Sequence, residues 1–445
     1  MVLMGIFAVL LLLSLLVGVH RYLWVRLVRD TTAPGGVVRR LGTAVLVLAP
    51  LTSLGALVSG RAGAPFAVER VFAWPGFLWL AVLLYLTLAL LVGEAVRPLL
   101  RRMLERRAAR AAAEKAGEAE AGGSRSVPLP AGAGRLERAG ESGGAVGEAD
   151  GPPPAGDATG VSIPATGPSR RLFVARGVAA AASVAALGTV GYGAYGVLSG
   201  PRLKHVTVPL AKLPRRAHGY RIAVVSDIHL GPILGRSHTQ RIVDTINRAQ
   251  PDLVAVVGDL VDGSVGDLGP AAEPLAQLSA PDGSYFVTGN HEYYSGGAEE
   301  WVDFVQELGL RPLANARAEL PDFDLAGVND VSATGGGSVG VGPDFGLALG
   351  DRDRSRASVL MAHQPVVIHD AVKHGVDLQL SGHTHGGQLF PGNYLAELAN
   401  PTVAGLERYG DTQLYVTRGA GAWGPPVRVG AESDITVVTL ASKRT

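Results

Sequence analysis

The chain has 445 residues, including 60 glycines and 28 prolines, and only 18% of its residues are charged. A mean hydropathy of +0.24 is high for a soluble enzyme, which indicates that apolar residues are concentrated in one part of the chain. A net charge of +1 argues against a nucleic-acid partner bound through a broad basic face. The absence of cysteine excludes disulfides and thiolate metal sites, but it leaves the compartment open.

Four apolar segments occupy the first two hundred residues, and each is about long enough to cross a ~30 Å hydrocarbon core. They cover residues 2–19, 41–59, 77–92 and 177–198. The first could be a secretory signal peptide, but three further segments follow it and no convincing cleavage site does. We therefore predict a membrane region with three transmembrane helices in residues 1–100 and a fourth span in residues 169–200.

The arginines orient these predicted spans. Five lie in the first connection and six follow the third span, whereas the second connection holds only Arg61 and Arg70. Cytoplasmic connections carry the excess of arginine and lysine, so the first and third connections are predicted to be cytoplasmic. The chain is then a multi-pass protein of the cell membrane, with its C-terminal half outside the cytoplasm.

Residues 101–168 contain almost no large apolar side chain over most of their length, which predicts a disordered cytoplasmic linker. The next residues, Ser169 to Val174, contain paired arginines followed by Leu172 and Phe173 ahead of a weakly apolar segment. This arrangement resembles a twin-arginine export signal and predicts the export machinery as a partner. The alternative is a pair of ordinary arginines beside a membrane span.

From Tyr220 onward the pattern changes to short β-branched runs, which suit strands buried on both faces. A polar cluster follows each of the runs 222–225, 253–257, 285–288, 359–362 and 378–380. The clusters supply Asp227 and His229, Asp259 and Asp262, Asn290 and His291, His363, and His383 and His385. Open α/β sheets bind ligands beyond the carboxyl ends of their strands, and these side chains are ligands for Mn²⁺, Fe or Zn²⁺. The sequence therefore predicts an α/β fold with two divalent metal ions.

In this order, Asp-x-His, Gly-Asp-x-x-Asp, Gly-Asn-His-Glu, a later His and Gly-His-Thr-His-Gly-Gly-Gln resemble the calcineurin-like metallophosphoesterases. The last form resembles their bacterial membrane-associated branch, often called YkuE-like or YaeI-like. The resemblance covers roughly residues 221–445 and implies a domain at 201–445 with an α/β/β/α sandwich, preceded here by an α-helical transmembrane region.

Position by position, the resemblance assigns Asp227, His229 and His385 to one metal and Asn290, His363 and His383 to the other. Asp259 bridges both. His291 would protonate the leaving oxygen or stabilise charge on the phosphoryl group, and Asp262 would orient His291. The implied reaction is hydrolysis of a phosphomonoester or phosphodiester by a hydroxide that bridges the two metals.

Several alternatives stay open at this stage. The substrate could be a phospholipid or another cell-envelope phosphate, and residues 394–398 with Leu406 and Trp423 could form an apolar rim, although buried packing explains them equally well. The protein could instead be an extracytoplasmic protein phosphatase, or a non-catalytic metal-binding membrane sensor. Asp330 is either part of a turn or a substrate contact, and Gln388 is a candidate support for the neighbouring histidines.

Overall fold

The computed structural model describes residues 2–122, 170–333, 335, 337 and 339–443. The N-terminal region is helical. Its helices are α1 (Val2–Leu23), α2 (Val37–Val58), α3 (Phe66–Gly122) and α4 (Arg170–Leu198). Small residues let these helices approach closely. Ser53 Oγ on α2 donates to the carbonyl of Gly76 on α3 at 2.8 Å, and a Cβ on Gly76 would collide with the α2 backbone at Thr52.

Three described helices are long and apolar enough to cross a membrane, and they contain the second, third and fourth predicted spans. The qualifying stretches are Val37–Val58, Phe66–Glu118 and Arg171–Leu198. The first predicted span lies in α1. The structure does not describe some side chains of this helix, so the first span stays a prediction.

The structure corrects the start of the predicted linker. Helix α3 continues through Gly122, so residues 101–122 are helical rather than disordered. The reason is composition: this stretch is rich in alanine, arginine and glutamate, which are strong helix formers even where no core packs against them. The remainder of the predicted linker, residues 123–168, lies outside the described residues.

The C-terminal half contains two sheets, each with six described strands. The first comprises β1 (Arg202–Leu210), β2 (Arg221–Val225), β3 (Leu253–Val257), β4 (Ser284–Val287), β5 (Leu310–Pro312) and β12 (Asp434–Ser442). The second comprises β6 (Ala316–Glu319), β7 (Phe323–Gly327), β8 (Ala357–Met361), β9 (Leu378–Ser381), β10 (Gly405–Tyr409) and β11 (Thr412–Val416). Their orders are β1-β12-β2-β3-β4-β5 and β10-β11-β9-β8-β7-β6. Strands β2 to β5 run parallel, as do β7, β8, β9 and β11.

Alternating side chains of each buried strand enter two different cores. Ile222 and Val224 of β2 pack between the sheets, where Val359 and Met361 of the second sheet meet them. Ala223 and Val225 point to the opposite face and pack against helices. A strand with apolar residues at every position is therefore buried on both sides, as its uninterrupted apolar sequence predicts.

Helices cover the outer faces of both sheets. The helices of this half are α5 (Arg236–Ala249), α6 (Val265–Ala272), α7 (Asn290–Tyr294), α8 (Ala298–Glu307), α9 (Phe345–Leu349), α10 (Ile368–Lys373) and α11 (Gly392–Ala399). Buried side chains of α5, α6 and α8 pack on the first sheet, and those of α9 and α10 pack on the second. The predicted α/β/β/α sandwich is confirmed.

The membrane helices contact the sandwich directly. Tyr85 Oη on α3 donates to the carbonyl of Phe390 at 3.0 Å, and the amide of Arg428 donates to the carbonyl of Gly193 on α4 at 3.3 Å. Val427 is fully buried in the apolar cluster formed by the membrane helices, and Leu389 packs against it. The two parts of the chain therefore share an apolar contact.

We predict that Trp301→Ala destabilises the sandwich by about 3–5 kcal/mol, because it empties a large volume in the helix-covered core. Trp301 is fully buried on α8 and its Nε1 donates to the carbonyl of Gly263 at 2.8 Å. Thermal unfolding of the detergent-solubilised full chain measures the effect. Trp423→Ala, at a tryptophan that is 55% exposed, is the matched control. Equal melting temperatures for the two variants would contradict the prediction.

Candidate metal centre

The predicted ligands come together because their strands end at one edge of the sandwich. In the first sheet β2 leads to Asp227, β3 to Asp259 and β4 to Asn290. In the second sheet β8 leads to His363 and β9 to His383. The carboxyl ends of parallel strands lie side by side, so one tight turn after each strand is enough to bring the side chains together.

These turns hold several ligands in unusual backbone conformations. Asp227, His229, Asp259, His383 and His385 all have positive φ, between 49° and 72°. A left-handed conformation costs a residue with a Cβ on the order of 1 kcal/mol, and such strain is concentrated at functional sites. The fold around the centre therefore maintains a geometry that these residues would not choose in isolation.

One group of donors surrounds the Nε2 atoms of two histidines. His229 Nε2 and His385 Nε2 are 3.0 Å apart, and His385 Nε2 lies 3.3 Å from Asp227 Oδ1. Asp259 Oδ2 lies 3.7 Å from His229 Nε2. Two imidazole nitrogens and two carboxylates that converge in this way fit one divalent cation.

A second group lies on the other side of Asp259. His363 Nε2 is 3.1 Å from Asp259 Oδ2, and His383 Nδ1 is 2.9 Å from Asn290 Oδ1. His363 is buried, its Nε2 faces the carboxylate of Asp259, and its Nδ1 is engaged with the carbonyl of Val257 at 2.9 Å. A buried imidazole nitrogen beside a carboxylate fits a second cation, and the carboxylate of Asp259 belongs to both groups.

The charges of the centre favour metal binding. Burial opposes ionisation of Asp259, but His363 and His229 outweigh it and lower the pKa of Asp259 to about 2. Burial lowers the pKa of His383 and of His385 to about 4, so both imidazoles are neutral at neutral pH. For His229, burial is outweighed by nearby carboxylates, Asp262 foremost, and the pKa rises to about 9. A cation that binds His229 therefore competes with a proton.

Asp262 holds two histidines with a single oxygen. Its Oδ1 lies 3.0 Å from His229 Nδ1 and 2.6 Å from His291 Nδ1. Burial opposes its charge, yet the two imidazoles lower the pKa of Asp262 below its usual range. An ionised carboxylate at both Nδ1 atoms favours the tautomers that leave the Nε2 atoms free. His229 then presents Nε2 to a metal, and His291 presents Nε2 to the cleft.

Two further residues support the centre and were not assigned from the sequence. The buried carboxylate of Glu292 accepts from the amides of Gly289 at 2.6 Å, Leu260 at 2.7 Å and Asp259 at 3.1 Å, which ties two ligand loops together. Burial, with the charge of Asp259, raises the pKa of Glu292 to about 7. Its position as the last residue of the Gly-Asn-His-Glu motif is the sequence feature that could have identified it.

Arg428 is the second such residue. It is buried, and its guanidinium donates to the carbonyls of Gly421 and His385 at 2.7 and 3.1 Å, with one nitrogen 3.2 Å from His385 Nδ1. A single arginine between two valines was the only hint in the sequence. Because its backbone amide also bonds Gly193 of α4, Arg428 links a predicted ligand to a membrane helix.

The structure describes the surroundings of two other residues considered in the sequence. The side-chain amide of Gln388 bonds the backbone of Trp423 and the carbonyl of Pro425, which holds that loop over the centre. Asp330 is part of a turn, as one interpretation of the sequence predicted: its Oδ1 accepts from the amide of Ser332 at 2.8 Å and from Gln364 Nε2 at 2.9 Å, and its carbonyl accepts from the amide of Ala333 at 3.1 Å.

We predict that Gly382→Ala weakens metal binding about 10- to 100-fold, as expected when the support of a ligand is displaced. A Cβ on Gly382 would overlap Ser226 Oγ and the carboxylate of Asp227, so Asp227 must move. Metal titration of the purified protein measures the change. Gly235→Ala is the control, because a Cβ there meets nothing within 4 Å. Unchanged affinity in Gly382→Ala would contradict the prediction.

Known proteins are similar to this chain over its C-terminal half. The family model of calcineurin-like phosphoesterases matches residues 220–387. An uncharacterized metallophosphoesterase of Helicobacter pylori J99 is 36% identical over 278 residues, which cover 62% of this chain and 74% of the relative. This chain belongs to the calcineurin-like metallophosphoesterase family. YkuE of Bacillus subtilis, another uncharacterized metallophosphoesterase, is 30% identical over 62% of this chain and 98% of the relative.

Some relatives of this metallophosphoesterase are named as transmembrane proteins. A transmembrane protein with metallophosphoesterase domain from Danio rerio is 41% identical over 259 residues, which cover 56% of this chain. This metallophosphoesterase spans only 59% of the length of that relative. Among solved structures, a dimetal phosphatase from Danio rerio matches 50% of this chain and 93% of its own, with 14% identity and a TM-score of 0.33.

Proposed function

We propose that this membrane-anchored metallophosphoesterase hydrolyses phosphomonoesters or phosphodiesters with two divalent cations. The observation that carries the proposal is the arrangement of two donor groups that share Asp259, with His291 beside them. Such a pair can bind the attacking and the leaving oxygen of an in-line displacement at phosphorus. We assign Asp227, His229, Asp259 and His385 to one cation and Asp259, Asn290, His363 and His383 to the other.

Bound in these groups, two divalent cations supply Lewis acidity and a nucleophile derived from water at neutral pH. The protein supplies the proton that the leaving oxygen takes up, on the side of phosphorus opposite the attacking nucleophile. His291 Nε2 faces the cleft because Asp262 holds Nδ1, and the carboxylate of Asp262 stabilises a positive charge on the ring. In its imidazolium form His291 gives the Nε2 proton to the leaving oxygen. Trp423 contacts the His291 ring edge-on, with the ring centroids 5.6 Å apart, and limits the access of water to it.

The Asp262–His291 pair also separates this proposal from a metal-binding sensor. Metal binding requires the donors and their supports, and His229 already has its own contact with Asp262. A second histidine held by the same oxygen lies beside the donors His229 and Asp259 and is not needed to complete either assigned ligand set, whereas proton transfer gives it a role. The intact pair favours an enzyme.

The experiment is metal restoration on the full chain in lipid nanodiscs. The protein is stripped with a chelator, and Mn²⁺, Zn²⁺ or Fe²⁺ is returned while hydrolysis of bis-p-nitrophenyl phosphate and p-nitrophenyl phosphate is followed. We expect turnover that rises as two equivalents of metal bind. The ratio of the two substrates distinguishes a diesterase from a monoesterase. A folded protein that binds two equivalents and hydrolyses neither ester would overturn the proposal.

We further propose that the sandwich lies outside the cytoplasm. Arg176 Nε donates to the carbonyl of Thr31, and Glu94 pairs with Arg26 and Arg97, so the arginine-rich segments share one end of the bundle. The sandwich contacts the bundle toward the other end of α4, at Gly193. Because the chain has no cysteine, Lys373→Cys and Arg106→Cys can be labelled singly with an impermeant maleimide. Labelling of Arg106→Cys, but not of Lys373→Cys, in intact cells would show that the sandwich lies on the cytoplasmic side instead.

The twin-arginine export route is a separate proposal. It is motivated by Arg170 and Arg171 at the start of α4. Ala182, Ala186 and Val190 of α4 are buried in the membrane cluster, which supports retention of this helix after export. We expect Arg170→Lys with Arg171→Lys to leave Lys373→Cys inaccessible from outside. Unchanged labelling of Lys373→Cys would rule this route out.

A further inference from the structure

The mouth of the metal centre carries an exposed apolar surface. Helix α11 has no buried residue, and Leu395 and Leu398 are 71% and 85% exposed. Tyr394 lies on the same helical face, and Phe390 and Trp423 continue the surface. We call these five residues the apolar lip. A contiguous surface of large apolar side chains on a folded domain marks a site of contact with a protein or a membrane.

The lip is connected to the metal centre at both ends. Gly387, two residues beyond His385, packs so tightly on the start of α11 that a Cβ would overlap the backbone of Asn393. At the other end the Trp423 ring contacts His291. A molecule that rests on the lip therefore lies next to the predicted metal ligands and the predicted acid.

The lip is also continuous with the membrane bundle. Leu389 and Val429 pack into the cluster of the membrane helices, and the amide of Phe390 donates to the carbonyl of Val429 at 2.9 Å. Tyr85 Oη of α3 donates to the carbonyl of Phe390. The segment that leads into α11 is thus held against helices whose exposed faces are apolar.

The helix rise places this contact within the thickness of a bilayer. Tyr85 precedes Glu94 by nine positions of the continuous α3 helix, and Glu94 pairs with Arg26 and Arg97 at the arginine-rich end. At ~1.5 Å per residue, the Cα of Tyr85 is about 14 Å from that end, against a hydrocarbon core of ~30 Å. Phe390 therefore lies at about the midplane of the hydrocarbon core, and the lip extends from it toward the catalytic side.

We propose that the apolar lip rests in the leaflet on the catalytic side, and that the substrate is a phosphate ester carried by a lipid of that leaflet. This inference rests on the proposed function and names its substrate class. The acyl or prenyl chain stays among the lip side chains while the phosphate reaches the metal centre. Water adds to phosphorus and releases one proton to the solvent, the bond from phosphorus to the leaving oxygen breaks, and that oxygen takes the proton of His291, which the solvent then replaces.

The first test is independent of activity. Single-cysteine variants Leu398→Cys and Leu347→Cys of the full chain, which has no native cysteine, are spin-labelled and reconstituted in phosphatidylglycerol–phosphatidylethanolamine vesicles. Leu347 is the control because it is 70% exposed on α9, which covers the outer face of the second sheet. We expect the label at Leu398 to be accessible to oxygen and shielded from a water-soluble nickel complex, and the label at Leu347 to behave oppositely. Equal exposure of both labels to the nickel complex would overturn the proposal.

The second test compares esters that share a reacting group and differ in chain length. The diester pair is hexadecyl and methyl p-nitrophenyl phosphate, and the monoester pair is dioleoyl and dihexanoyl phosphatidic acid, the long-chain members being placed in nanodiscs. We expect Leu395→Glu with Leu398→Glu to lower turnover of the long-chain member about tenfold or more, because carboxylates are expelled from hydrocarbon. Turnover of the short-chain member should not change, and Leu347→Glu should change neither.

The outcomes separate the two proposals. Equal losses on the long and the short ester, or no preference of the wild-type protein for the long one, would overturn the lipid substrate and leave the phosphoesterase standing. No metal-dependent turnover of any ester would overturn the phosphoesterase, while the spin-label result would still decide whether the lip enters the bilayer.

Discussion

Replacing Asp259 by asparagine is expected to lower metal-dependent hydrolysis of bis-p-nitrophenyl phosphate about 10³-fold, which corresponds to ~4 kcal/mol of lost transition-state stabilisation. Asp259 is the carboxylate common to both donor groups, with Oδ2 3.1 Å from His363 Nε2 and 3.7 Å from His229 Nε2. The neutral amide is a poor bridge between two cations, so the variant should retain fewer than two metal equivalents.

The substitution should leave the fold intact, which makes the result specific. Asp259 Oδ1 accepts from the backbone amide of His291 at 2.9 Å, and an amide oxygen can accept the same hydrogen bond. Turnover and metal content by elemental analysis are measured together, with Asp370→Asn on the exposed side of α10 as the control. Two bound metals and wild-type turnover in Asp259→Asn would refute the shared-ligand assignment.

The second large effect is expected for His291→Ala. We predict a loss in kcat of about 10² to 10⁴-fold for an alkyl phosphate ester, the range typical of a general acid. The loss should be much smaller for a p-nitrophenyl ester, because that leaving group departs as a stable anion and needs little protonation. Metal content should stay at the wild-type value, since His291 has no place in the proposed ligand sets. The measurement is kcat for both esters and metal content on each preparation.

Asp262→Asn provides the contrast for His291→Ala. Asp262 contacts His229 and His291 with one oxygen, so its loss should weaken metal binding and proton transfer together. If His291→Ala instead lost metal, or lost the same factor with both leaving groups, His291 would be a structural residue rather than an acid.

The strands that lead to the predicted ligands could be predicted because they are buried on both faces. The apolar run 253–257 coincides with β3, and the runs 222–225 and 378–380 fall within β2 and β9. The edge strand β10 was not recognised, because its residues are exposed or only partly buried and leave no such run in the sequence. Residues 101–122 were assigned to the disordered linker although α3 continues through Gly122, because low hydropathy and low helix propensity are different properties and these residues have only low hydropathy.

The residues of the predicted metal centre could be recognised in the sequence because metal binding restricts the residue types and the ligands follow the ends of strands. The residues that support these ligands could not be recognised in this way. Glu292 binds the amides of Asp259 and Leu260, and Arg428 binds the carbonyl and ring of His385, so these long-range contacts leave no spacing in the sequence. Contacts between segments that are far apart in the sequence become visible only in the folded structure.

The sequence by itself determined the family, the sandwich and the residue types of the predicted metal centre. The reason is that a buried strand and a metal ligand each restrict the residue types at their own positions. Only the tertiary structure decided where that centre lies relative to the apolar N-terminal helices. The contacts that place it join Tyr85 to Phe390 and Gly193 to Arg428, across 305 and 235 positions of the chain. Both are hydrogen bonds to backbone carbonyls at apolar surfaces, which many sequences can form, and packing alone selects them.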